Sequence, residues 1–330
     1  MSIKTSLLGA VCLNLVALGG LALAPAQAQA QEAWPAKRIS FMIGFAPGGF
    51  ADSVARIIGA KLSDRLGQQI VTQNMDGAGG NIAARHVAAA TPDGYTILVT
   101  TTSLAINDTL YKTKGFSAQG LAPVVIPVSA PESFASNPKS NIKSLADLLA
   151  QARAGETVFL GTPGIGSGSH LAAEYFFKVL AKANVRHIPF PGGAPAKLGL
   201  LAGDVSVLSS TATAATIPAM VSKEVLGLAV ASAERDPAIP DVPTFAELGY
   251  PGFLASSWTG FFAPEGTPEA VLLKLNAEIN AALKDADVKA KIDAMGLITA
   301  NRSQPESRDF LKSEIANWGK MVEASGVAVP

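Results

Sequence analysis

The sequence predicts an α/β fold in two lobes, each a mainly parallel sheet flanked by helices, with two crossover strands as a hinge. Short apolar runs rich in β-branched and aromatic residues alternate with stretches at helical spacing, the pattern of parallel strands linked by helices. A strand–glycine turn–helix unit occurs twice, at Phe45–Asp52 and at Leu160–His170. The alternation also breaks and restarts around Pro131. In open α/β sheets ligands bind beyond the carboxyl ends of the strands, so two such turns facing each other frame one cleft.

The N-terminus is expected to lie outside this fold. Lys4 gives a positive start and Leu7 to Leu23 an apolar run. Ala26-Gln27-Ala28 and Ala28-Gln29-Ala30 then offer cleavage sites, which together mark a secretory signal peptide over residues 1–28. The mature chain is expected to start near Gln29 or Gln31 and to be periplasmic. Residues 29–130 with 231–330 are assigned to lobe 1 and 131–230 to lobe 2. Cys12, the single cysteine, falls in the signal segment, which excludes disulfides, zinc–thiolate sites and cysteine nucleophiles from the exported protein. The 26 basic residues less Lys4 leave 25 against 26 acidic ones, so no basic surplus points to nucleic acid.

In chain order, Ile39 to Phe45 reads as a buried strand. Pro47, Gly48 and Gly49 break it, and a helix runs from Asp52 to Leu66 with Gly67 as its stop. Gln69 to Gln73 is a second strand, Gly77-Ala-Gly-Gly80 a turn, Asn81 to Ala90 a helix, and Tyr95 to Thr100 a third strand. Ala122 to Ser129 is a strand, Pro131 a crossing point, and a short strand follows from Phe134. Then come a helix at Ser144 to Ala154, a strand at Thr157 to Leu160, the glycine turn Gly161 to Gly168 and a helix from Ser169 to Ala183. Val185 to Pro189 and Val205 to Leu208 are strands around a helix ending at Leu201. Val225 to Ser232 and Trp258 to Ala263 are strands that return the chain to the first lobe. Pro268 to Leu283 and Pro305 to Ser325 close the chain as helices.

A strand that stops at a glycine turn before a helix leaves unpaired N–H groups and a positive dipole end facing outward, a place for an anion. At these turns the chain resembles the Bug family, periplasmic solute receptors of tripartite tricarboxylate transporters. Carrying the resemblance are Trp34-Pro35, Phe45-Ala-Pro-Gly-Gly49 with Asp52, Gly77-Ala-Gly-Gly-Asn81, Pro92-Asp-Gly-Tyr95 and Gly161-Thr-Pro-Gly-Ile-Gly-Ser167 with His170. Asp241-Val-Pro-Thr244, Gly249-Tyr-Pro-Gly252, Trp258 and Gly266-Thr-Pro268 complete it in family order. Asn107-Asp108 stands where the family has Asn-Pro, and Phe190-Pro191-Gly192 where it has Tyr-Lys-Gly. The resemblance implies a type II-like periplasmic binding protein that closes on a small carboxylate and hands it to membrane permease subunits. By position it points to Phe45, Ala46, Pro47, Gly48, Gly49, Phe50 and Asp52 in the first lobe. In the second it points to Thr162, Gly164, Gly166, Ser167 and His170, with Gly192, Gly193 and Ala194. Topology adds Thr101, Thr102 and Ser103 at the end of the third strand.

Alternatives stand at several of these positions. Asp52 is a helix N-cap or a ligand contact, and Phe50 stacks on a ligand or covers the cleft. Gly164-Ile-Gly-Ser-Gly168 lacks the last glycine of a dinucleotide loop and the lysine of a phosphate loop. Neither Ser167 nor Ser169 fits the nucleophile elbow, yet either with His170 is the alternative, an exported α/β hydrolase. His170, in the first turn of its helix, is expected neutral under the helix dipole. No pair among His86, His170 and His187 has metal spacing, and Trp258 is a core or hinge anchor before it is a stacking surface. The reading is a monomeric receptor with no cofactor, metal or catalytic residue.

Overall fold

The computed structural model describes residues 34–213 and 216–328, so the expected signal segment lies outside the described residues. Strand β1 (Ile39–Ile43) leads through a glycine turn into α1 (Phe50–Leu66), which ends at Gly67 in the left-handed region (φ 64°). Then follow β2 (Ile70–Asn74), α2 (Asn81–Ala88), β3 (Thr96–Thr101) and α3 (Ser103–Leu110). Strand β4 (Leu121–Ser136) precedes α4 (Leu145–Arg153), β5 (Phe159–Thr162), α5 (Gly168–Tyr175), β6 (Arg186–Pro189), α6 (Gly193–Ala202) and β7 (Val207–Thr211). The chain finishes with α7 (Ile217–Val221), β8 (Leu226–Val230), β9 (Ser256–Pro264), α8 (Glu269–Leu283), α9 (Ala286–Ala294), β10 (Ile298–Thr299) and α10 (Gln304–Ser325). None of the described helices is long and apolar enough to cross a membrane.

The strands form one mixed sheet in the order β2-β1-β3-β9-β4-β7-β5-β6, with β8 and β10 also on β4. Strands β1, β2 and β3 are parallel, as are β5, β6 and β7, so each end of the sheet is a parallel α/β unit. Strand β4 joins them. Its first part, Leu121 to Pro131, pairs antiparallel with β9; its last part, Glu132 to Ser136, pairs with β7, and Ser133 to Ser136 with β8. Pro131 marks the change of partner, but the chain does not break there, correcting the expected second strand from Phe134. Proline costs a strand only its N–H donor, and β4 absorbs that at bulges between Pro123 and Val125 and between Val125 and Val128. The return to the first parallel unit is made by β9, which pairs β3 and β4; β8 stays beside the second.

One apolar cluster lies under the first parallel unit, from Ile39, Phe41 and Val54 to Leu275. A second packs Leu200, Leu208 and Val230, and a larger one centred on Phe134, Phe176, Phe245 and Trp258 runs beneath the junction. Helix α5 leaves the expected α-geometry at Phe176 for a π-turn to Ala181, where Phe177 stacks on Phe134 and Phe176 meets it edge-on. This arrangement aims the carboxyl ends of both sets of parallel strands at one cleft.

Candidate functional site

The cleft has a volume of about 570 Å³, within the usual range of small-ligand pockets. Its walls are the turns that follow parallel strands: 44–51 after β1, 76–80 after β2, 163–169 after β5 and 189–195 after β6. Helices α1, α2, α5 and α6 therefore all begin at this cavity. A helix start offers unpaired N–H groups and about half a positive charge, so the lining favours an anion although it contains no lysine or arginine.

Each turn is held by its own sequence. Gly48 takes φ 78°, and its N–H donates to Asp52 Oδ2 at 2.9 Å, bending the loop back over the first turn of α1. Asp52 is buried. It also accepts from Arg56 Nε and from Asn74 Nδ2, each at 2.9 Å, and Asn74 Nδ2 reaches Phe45 O as well. Burial pushes the Asp52 carboxyl up, but bonds from Arg56, Gly48 and Asn74 outweigh it and hold the group below its ordinary 3.8. Across the cleft Ser167 caps α5: its hydroxyl accepts from His170 N at 3.1 Å and donates to Gly164 O at 2.8 Å. Asn107 Nδ2 donates to Gly79 O at 2.9 Å and pins the 77–80 turn.

Of the residues expected from sequence, Phe45, Ala46, Pro47, Gly48, Gly49, Phe50, Thr101, Gly164, Ser167, Gly192, Gly193 and Ala194 line the cleft. The other six are placed off its lining. Asp52 is committed to the loop as described. Thr102 and Ser103 are buried at the start of α3, where Thr102 Oγ1 accepts from Trp258 N at 2.8 Å. Thr162 and His170 face inward, and Gly166 is a buried turn residue whose N–H donates to His170 Nδ1 at 3.3 Å. Replacing Asp52 with alanine is expected to cost roughly 3 kcal/mol, because it removes three bonds to a charged acceptor and frees the loop. The carboxyl titrates below its unfolded value, so this stability is present above about pH 4 and lost as the pH falls further. Urea unfolding of both proteins across that range measures it.

The fold brings together two histidines that sequence spacing left apart. The His170 and His187 rings stack at 4.2 Å, and His187 Nε2 lies 2.6 Å from Thr162 Oγ1. Donor atoms of His170, Glu174 and His187 fall within 4.8 Å of one another, correcting the expectation that no histidine pair could share a metal. One atom of each is engaged, Nδ1 of His170 by Gly166, Nε2 of His187 by Thr162 and Oε2 of Glu174 by Lys178 Nζ at 2.7 Å, while His170 Nε2 lies 4.0 Å from Glu174 Oε1. His170 is neutral, pushed down to about 3 by burial and then by His187 and Lys178, so burial replaces the helix dipole as the cause. A hydrolase needs a ring nitrogen on its serine. Here Ser167 caps the helix and Ser169 donates to Glu132 at 2.6 Å, so neither hydroxyl bonds to the His170 ring.

Sequence reasoning missed the floor of the cleft. Ser169, Ser210, Thr211 and Ser257 line it, supplied by α5, β7 and β9. Below them lies Glu132, fully buried on β4. The signal was a lone acid in the apolar run of β4 and the hydroxyl-rich stretch Ser209-Ser-Thr211. Tyr111, Ile165 and Phe190 complete the walls.

A ligand-sized cleft between two parallel units, ringed by helix starts and crossed by β4 and β9, defines a periplasmic binding protein. Residues 54–327 match the tripartite tricarboxylate transporter family receptor, and the chain belongs to that family. It is 36% identical to protein BugT of Bordetella pertussis over 320 residues, covering 94% of this chain and 95% of that one. Two similar solved structures carry acids in their descriptions. R. palustris Rpa4515 with adipate is 32% identical, with a TM-score of 0.84 over 89% of this chain and 99% of its own. MatC (Rpa3494) from Rhodopseudomonas palustris with bound malate is also 32% identical, with a TM-score of 0.82 over 87% and 99%. The family and these neighbours are solute-binding proteins.

Proposed function

We propose that this receptor captures a small organic carboxylate, di-, tri- or aromatic, in the cleft between 44–51 and 163–169. It then delivers the acid, unaltered, to the permease subunits of a tripartite transporter in the membrane. The convergence of four helix starts on one cavity without a fixed cation supports this reading, because such a site holds an anion and releases it again. The carboxylate rests on N–H groups of the turns at Gly48–Phe50 and Gly164–Ser167, with 192–194 as a third contact. Residues 29–130 with 231–330 form one lobe and 131–230 the other, and they close about β4 and β9. Only the closed state completes the site, so ligand shifts the population toward it. The protein acts as a periplasmic monomer freed of residues 1–28.

Calorimetry on refolded, ligand-free protein with mono-, di- and aromatic carboxylates tests this, adipate and malate being the natural first members. One class is expected to bind one to one without turnover, and the radius of gyration in solution scattering to fall on binding. An absence of binding across the panel, or steady conversion of any member, defeats the proposal.

A further inference from the structure

Glu132 is a fully buried carboxyl beneath the cleft with hydroxyl partners alone. Ser169 Oγ donates to its Oε2 and Ser257 Oγ to its Oε1, both at 2.6 Å. Thr211 Oγ1 lies 3.4 and 3.5 Å from the two oxygens. These three hydroxyls come from α5, β9 and β7, and all three residues also line the cleft. A hydroxyl has one proton and two lone pairs. With its proton turned down to Glu132, it shows the cleft only acceptors. Ser210, between Ser209 and Thr211 on β7, faces the other side of the sheet and is not part of this set.

We propose that Glu132 sets the ligand class: by drawing the protons of Ser169 and Ser257 downward it makes the cleft floor an acceptor surface. The end of the ligand remote from its carboxylate is therefore held best as a hydroxyl or an ammonium, and a second carboxylate there is bound more weakly. This rests on the reading that the glycine turns hold a carboxylate. A ligand hydroxyl or ammonium donates to the committed oxygens. A carboxylate meets lone pairs, with a buried negative charge behind them.

The selection depends on the charge of Glu132. Burial pushes its carboxyl up to about 7, against which the bonds from Ser169, Ser257 and Thr211 act. Ionisable groups on the surrounding elements bond elsewhere: His170 to Gly166, Glu174 to Lys178, Glu314 to Trp258 and Trp318, and Arg302 to Ile126 O. Below neutrality the protonated acid donates to one hydroxyl, which turns its own proton toward the cleft. The floor then accepts a carboxylate.

The test uses chain-matched acids: γ-hydroxybutyrate, γ-aminobutyrate and succinate, then ε-hydroxycaproate, ε-aminocaproate and adipate, with butyrate and caproate as tailless controls. At about pH 8.5 the wild type is expected to bind the hydroxy or amino member of the fitting length about tenfold more tightly than the diacid, the size of one buried hydrogen bond. At about pH 6 the ratio narrows to roughly threefold or less, and in Glu132→Gln it is narrow at both pH values. A diacid bound as tightly as its hydroxy partner at the higher pH, or an unchanged ratio in the variant, overturns the inference. If Glu132→Gln does not fold, a wild-type ratio that ignores pH overturns it equally. Tailless acids binding without discrimination among the others sink this inference alone. Failure of every acid, controls included, sinks the carboxylate reading and this inference with it.

Discussion

Replacing Glu132 with glutamine raises the melting temperature of the ligand-free protein by about 6 °C at pH 8, and the gain disappears as the pH is lowered toward about 4.5. The cause is the cost of an ionised carboxyl with no cation beside it. Burial moves the group from 4.5 to about 7. A raised folded value means that the stability is fully present below the unfolded value and lost as the pH rises through the folded one. Above pH 7 the loss is roughly 3 kcal/mol. Glutamine keeps one acceptor and one donor for Ser169 and Ser257 but never ionises, so it avoids the loss. Calorimetric scans of both proteins at the two pH values decide it. An equal shift at both, or a lower melting temperature at pH 8, defeats the ionisation account. A residue that costs this much at the floor of a binding cleft is kept for the cleft, since local rules are broken chiefly at functional sites.

Why Glu132 was not read from sequence, while Gly48 and Gly164 were, follows from range. A glycine turn between a strand and a helix is a local pattern: residues within ten positions fix where the N–H groups point. The helix stop at Gly67 and most of the strands were legible in the same way. The floor is assembled from residues 132, 169, 211 and 257, and nothing in their spacing signals that they meet. Thr102 and Ser103 lie off the cleft lining for a similar reason. At a strand end they look available, but Thr102 is claimed by Trp258 from a distant strand. The stacking of His170 on His187 likewise depends on β5 and β6 being neighbours. Asp52 was undecided between capping and binding, and only its bonds to Arg56 and Asn74 show that its side chain is occupied.

Adding one methyl group at two cleft glycines is expected to give opposite results. Gly168 is the first residue of α5, and a Cβ there would lie 2.4 Å from Ser257 Oγ and 2.8 Å from Glu132 Oε1. Both atoms are fixed by their own 2.6 Å bond, so neither yields cheaply. Gly168→Ala must break that bond or lift the helix start off β9, at a cost of roughly 2–4 kcal/mol from overpacking and a lost buried hydrogen bond. Gly193 begins α6 with nothing within 4 Å of the same atom and no positive φ. Gly193→Ala is therefore expected to hold or raise stability by up to about 1 kcal/mol, because the unfolded chain loses freedom. Its methyl group stands in the cleft, so the affinity for whichever acid binds should fall. Urea unfolding and calorimetry on both variants separate the cases. Wild-type stability in Gly168→Ala means that the floor is not packed as described, and wild-type affinity in Gly193→Ala removes the 192–194 turn from the ligand's contacts. At Gly168 the start of α5 is closed against the floor, whereas at Gly193 the start of α6 is open, so the same methyl group strains the first and only narrows the cleft at the second.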